Sequence, residues 1–239
     1  MNERIKRLAL LVLAIAFAAS PLVSDGFGGF YPESFPVQVE RWPAQPVGWA
    51  FSIWGVIYIA LIAGAGWAVW RPAQSPGWGR AAWPLGISLG IGIFWIEAAL
   101  RAPVIATAMI VPMAAAAIMA MRRAGPDWRA WLPMGLYAGW LTAASGVAVS
   151  VVLTGYGLAG PRVAAIALIL VVLAVALTVA ATRPRIWSYT FGVGWALLGV
   201  IVANAAAGDW VIVAICAAGI AALVVVGWIS PDRAKTPAR

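Results

Sequence analysis

The chain contains no histidine. That removes the commonest general base and the commonest axial ligand of haem iron. Cys216 is its single cysteine, so no intramolecular disulfide can form and no cysteine cluster can hold a metal. Charge is scarce: Asp, Glu, Lys and Arg make up 10% of 239 residues, against about a quarter in a soluble domain. The eight carboxylates are scattered, and no Ser–His pair or phosphate-binding glycine loop stands out. The sequence therefore offers no catalytic constellation and no metal site. What it has instead is apolar bulk, with 64% hydrophobic residues. Such a chain cannot cover itself with a polar shell, so its solvent is largely lipid.

A membrane helix needs about 20 mostly apolar residues. Eight stretches qualify, at 7–24, 48–70, 82–99, 103–121, 131–154, 161–181, 188–205 and 210–229, of which the third, fourth and seventh are short. Strands of a transmembrane barrel would alternate apolar and polar residues. "VAAIALILVVLAVALTVAAT" does not. The expected fold is an all-α integral membrane protein, a helical bundle of about eight transmembrane helices. The N-terminal pattern, a basic start, an apolar run and small residues at Ala16 and Ala18, also fits a cleaved signal peptide, which would leave seven spans.

The net charge of +8 invites a nucleic-acid reading, but the placement of the charges argues against it. Basic residues in short loops mark the cytoplasmic side. With the N-terminus inside, all of the 16 basic residues except Arg41, Arg101 and Arg162 fall on that side. Asp25, Glu33, Glu40, Glu97 and Asp209 fall outside. Both termini are then cytoplasmic. Arg is used far more than Lys, alongside much Ala and Gly, the usage of a GC-rich bacterial genome. The expected location is therefore a bacterial inner membrane.

One connection is long. Residues 24–47 lie outside and read "SDGFGGFYPESFPVQVERWPAQPV". Disordered segments are poor in aromatics. Phe27, Phe30, Tyr31, Phe35 and Trp42 suggest either a lid packed on the bundle or a loop resting in the headgroup region. The next span opens "WAFSIWGVIYIALIAGAGWAVW". Phe51, Trp54 and Tyr58 share one helical face. That face packs against another helix or walls a ligand site. Trp67 and Trp70 stand just before Arg71, as interfacial anchors would. Glu97 and Arg101 are spaced for a local ion pair. Gly86/Gly90 and Gly135/Gly139 are spaced for close helix packing. Asn204 and Asp209 read as turn residues before the last helix.

"QPVGWAFSIWGVIYIALIAGAGWAVW" resembles the second-helix signature of the tryptophan-rich sensory protein family, also called the translocator protein (TspO/MBR) family. Pro46, Trp54, Tyr58, Gly64, Gly66 and Trp67 stand in matching places. "WLPMGLYAGWLTAASG", with Pro133, Tyr137 and Trp140, resembles a later helix of the family, and Trp95 matches its third-helix tryptophan. The resemblance covers about residues 8–154. It implies a TspO-like five-helix core over 1–154, with 24–47 as a lid. Three additional helices and a basic cytoplasmic tail then make up 155–239. Two departures stand out: Gly92 sits where the family has Asn in its third helix, and Ser145 is the nearest polar residue to the fifth-helix Asn. The sequence is closer to a long divergent branch of the family.

The family binds tetrapyrroles such as porphyrins, and its bundles often pair. The resemblance thus implies a sensor or regulator that binds a planar apolar molecule, requires no cofactor, and forms a homodimer. Its ligand-binding residues would be Trp42, Pro46, Phe51, Trp54, Tyr58, Trp95, Tyr137, Trp140 and Ser145. A membrane transporter of a hydrophobic metabolite is the alternative. A membrane enzyme acting on a porphyrin or isoprenoid comes third, because no acid–base pair is evident.

Overall fold

The computed structural model describes residues 2–24, 27–182 and 187–229. Its helices are α1 (Glu3–Ala19), α2 (Ile53–Trp70), α3 (Pro76–Arg101), α4 (Pro103–Arg123), α5 (Trp128–Gly155), α6 (Pro161–Thr182), α7 (Trp187–Ala206) and α8 (Trp210–Ile229). There is no strand among the described residues. Among the described residues, eight helical segments are long and apolar enough to cross a membrane. The chain is an all-α, multi-pass membrane protein. Asp25, Arg183, Arg185 and the basic tail of 230–239 lie outside the described residues.

Local chemistry moves several boundaries away from the apolar runs. α1 stops at Ala19 rather than running to 24, and the chain turns through a 3₁₀ segment, Ser20–Leu22. Pro21 has no N–H to offer the carbonyl of Phe17, and the Ser20 hydroxyl donates to that carbonyl instead, at 2.8 Å. α3 and α5 begin earlier than expected because one carboxylate serves both. Asp127 caps α5 by accepting from Arg129 N–H at 3.2 Å, and accepts from Gly77 N–H in the first turn of α3 at 3.0 Å. Pro84, Pro112 and Pro133 sit inside α3, α4 and α5. Neighbouring helices make such prolines tolerable in lipid.

α5 is the hub. In its most apolar stretch 67% of residues are buried, against 22% in α1 and α8. It packs on α4, α6, α7 and, more lightly, α2. Against α7 the approach is backbone to backbone. A side chain at Gly139 would strike the carbonyl of Tyr189, and one at Gly192 would come within 2.7 Å of the Leu136 carbonyl. The Gly135/Gly139 pair thus packs as its spacing suggested. Gly86 and Gly90 differ: Gly86 meets Leu13 only at ordinary distance, and Gly90 faces open space.

The long loop lies across the bundle. Its backbone is tied to α5 through Val37 N–H to the Gly155 carbonyl at 2.9 Å, and to α7 through Val47 N–H to the Gly199 carbonyl at 3.3 Å. Pro46 and Ala50 fill the notch at Gly199. Asn204, expected in a turn, is instead fully buried in α7. Its Nδ2 donates to the Pro43 carbonyl at 2.8 Å, and its Oδ1 accepts from Arg41 at 2.9 Å. Phe30, Phe35 and Trp42 are buried, while Tyr31 is exposed. The loop is therefore a packed cap over one end of the bundle.

Candidate functional site

Beneath this cap lies a cavity of about 30 Å³. Phe27, Phe30, Gln45 and Pro46 roof it, Phe51 comes from the 3₁₀ segment Gly48–Ser52 that leads into α2, Trp54 from α2, Trp95 from α3 and Trp140 from α5. Smaller residues complete it: Ile110 of α4, Ala144, Val147 and Ala148 of α5, and Ala196 of α7. The rings meet mostly edge to face, the arrangement their quadrupoles prefer. Phe27 meets Trp95 at 5.0 Å, Phe51 meets Trp140 at 5.7 Å, and Trp54 meets Trp140 at 6.1 Å between centroids. Gly29 lets the roof turn with φ +127°, and a side chain there would reach the Gln45 amide. That amide oxygen accepts from Phe30 N–H at 3.0 Å and holds the turn.

Pro46, Phe51, Trp54, Trp95 and Trp140, five of the residues expected in a site, line this cavity. Tyr58 and Tyr137 lie one layer deeper. Tyr58 stacks on Trp54 at 5.5 Å and 18°, and Phe17 stands edge-on to Trp54, Tyr58 and Tyr137. The Ser88 hydroxyl donates to the Met113 carbonyl, so the Tyr137 hydroxyl, 2.9 Å away, is the donor to Ser88. The remaining two lie elsewhere. Trp42 packs inside the cap against Phe35, at 5.5 Å. Ser145 donates to the Leu141 carbonyl at 2.8 Å and lines a separate groove between α4 and α6. Phe27, Phe30 and Gln45 were absent from the expected site, although the loop's aromatic content was a signal for the first two. Ala196 had no signal, since nothing distinguishes it from its apolar neighbours in sequence.

The cavity's polar chemistry is sparse. Trp95 Nε1 donates to the Ala106 carbonyl at 3.0 Å. Trp140 Nε1 is buried with no hydrogen-bond partner among the described residues. A buried, unpaired N–H costs roughly 1–3 kcal/mol. Arg41 reaches Asn204 rather than the cavity. At the same end of the bundle Glu97 and Arg101 form an exposed local ion pair, as their spacing implied.

The opposite end is held differently. Arg80 donates to the carbonyls of Arg123 and Ala124, and the Trp78 indole donates to the Arg129 carbonyl at 3.2 Å. Trp70 is exposed there with Arg71 over its ring, and Arg129 lies over Trp67.

Comparison with known proteins places this arrangement. A family model described as TSPO-like protein matches residues 40–229. The match starts in the cap and runs through α6, α7 and α8, beyond the resemblance read over 8–154. No curated protein and no solved structure matches. With most of its length matched, including the second-helix aromatics and the helix that anchors the cap, the chain belongs to the TSPO-like protein family, whose membership supports a membrane ligand-binding or transporter-type role.

Proposed function

We propose that the protein is a membrane sensor or regulator that binds a planar apolar molecule, a tetrapyrrole being the foremost candidate, in the aromatic cavity beneath the cap. We further place it in a bacterial inner membrane with both termini cytoplasmic, on the distribution of its basic residues. The observation that carries the binding reading is the convergence of Phe27, Phe51, Trp54, Trp95 and Trp140 on one cavity. A flat π-system offered to such rings gains about 0.5–1.5 kcal/mol per stacked pair beyond burial. The cavity of about 30 Å³ holds one or two waters, so the ligand enters by displacing the cap and its phenylalanines. The unpaired Trp140 N–H favours a ligand that brings an acceptor. Ion-coupled transport is disfavoured, because no Asp, Glu, Lys or Arg lies midway along a described helix.

The test is a protoporphyrin IX titration of the purified protein in detergent, read by tryptophan fluorescence. Saturable quenching is expected, weaker by about tenfold in Trp54→Ala and unchanged in Trp70→Ala, which alters an exposed ring at the far end. Equal curves for wild type and Trp54→Ala would remove the second helix from the site.

A further inference from the structure

A second cavity, of about 280 Å³, opens on the flank of the bundle between α4 and α6. Val111, Ala115 and Ile118 of α4 form one wall, Val171 and Val175 of α6 the other, and Gly146 of α5 the floor. The two hydroxyls in it are already engaged: Thr142 donates to the Ala138 carbonyl, and Ser145 to that of Leu141, each at 2.8 Å. The groove therefore suits hydrocarbon. Its lower end does not. Positions 111, 115 and 118 recur on one face of α4, and the next residue on that face is Arg122. On α6 the same extrapolation from 171 and 175 reaches Thr182. Arg122 Nη2 donates to Thr182 Oγ1 at 2.5 Å, so the two stripes converge on this pair. Arg123 follows it at the same end of α4.

Two magnitudes select the occupant. From Val111 to Arg122 the helix rises about 16 Å. That is close to half of a hydrocarbon core about 30 Å thick. The groove is thus about one leaflet deep. At its end stands a guanidinium, whose planar fork matches phosphate geometry. We propose that this groove seats an acyl chain of one anionic phospholipid, with the lipid phosphate on Arg122. The site is separate from the aromatic cavity and does not depend on what that cavity binds.

Native mass spectrometry of the full chain in detergent, titrated with phosphatidylglycerol or phosphatidylcholine, tests this. Wild type should take up one phosphatidylglycerol saturably, in preference to phosphatidylcholine by about fivefold, the worth of one basic group near a lipid surface. Arg122→Gln should erase the preference while still binding either lipid. Ala115→Trp fills the groove from an exposed position and should lower binding of both lipids several-fold. Arg71→Gln, another basic residue at that end of the bundle, should change nothing. Melting temperature monitors folding, and Arg122→Gln decides the matter if Ala115→Trp does not fold. The proposal is overturned by equal uptake of the two lipids in wild type, by an unchanged preference in Arg122→Gln, by displacement with glycerol phosphate alone, or by a dimer that Ala115→Trp dissociates.

Discussion

Two contacts of α5 solve the same problem in opposite ways. On the α7 side, Gly135, Gly139 and Gly192 bring main chains together and leave no room for a side chain. On the α2 side, Phe51, Trp54, Tyr58, Tyr137 and Trp140 fill the interval with rings. Lipid is as apolar as leucine, so neither contact draws on the hydrophobic effect; both depend on fit. Glycine achieves fit by subtraction and admits one arrangement. Rings achieve it by tiling, which leaves a small void and the Trp140 indole N–H without a partner among the described residues. The first contact is suited to fixing the bundle, the second to being rearranged.

Substitutions can break this contrast, and their effects should differ in size and kind. The largest loss is expected for Gly139→Leu, whose side chain would have to enter the carbonyl of Tyr189. Overpacking of this kind costs about 3 kcal/mol, and thermal unfolding in detergent should show a drop of many degrees. Trp54→Phe at the aromatic contact should cost less than half as much in the same assay. Asn204→Leu comes next. It keeps the branched shape but removes the bonds to Pro43 and Arg41, leaving a buried carbonyl unmatched, at about 2 kcal/mol. Hydrogen exchange of residues 41–47 should accelerate while that of the α5/α7 contact is unchanged; slow exchange in the loop would show that Asn204 does not hold the cap.

Trp140→Phe should change the stability of the unliganded protein by no more than about 1 kcal/mol, because deleting an unpaired donor offsets much of the cavity that the smaller ring leaves. The same variant should weaken any ligand that supplies an acceptor, as read by the porphyrin titration. A loss of about 3 kcal/mol or more, beyond what the cavity accounts for, would mean that the N–H has a structural partner. The smallest effect concerns Asp209 between α7 and α8. Arg162 donates to its carboxylate from both Nε and Nη2, at 2.9 and 3.2 Å, and holds its pKa below the ordinary value of 3.8. A depressed carboxylate contributes stability that is present above the unfolded-state pKa and lost as pH falls through the folded one. Melting temperature should therefore be flat from pH 8 to about 5 with respect to this pair. Asp209→Asn should lower it slightly there, and less once salt is raised.

The helices were legible because lipid demands long apolar runs, and composition reports those directly. Boundaries were less so where a polar group decided them: Pro21 ended α1 early, and Asp127 drew α3 and α5 outward. The face carrying Phe51, Trp54 and Tyr58 was legible from spacing. What it faced was not, since periodicity carries no information about the opposite wall. Ser145 and Trp42 were expected in the site because the family resemblance implied it, yet helix rotation turns one to a flank groove and cap packing encloses the other. Asn204 read as a turn residue because Asn near a helix end usually is one. Its partners lie far upstream, a pairing that no local pattern encodes.

That last pairing has a consequence for how the molecule is made. The cap leaves the ribosome early, whereas Gly199 and Asn204, to which it is tied, are among the last residues of α7 to be synthesised. Until α7 has entered the membrane, Pro43, Arg41 and Val47 have no partners there. A nascent chain halted after α5 would carry the aromatic rings and the tie from Val37 to Gly155, while the stretch from Arg41 to Val47 would still be unfastened until α7 arrives.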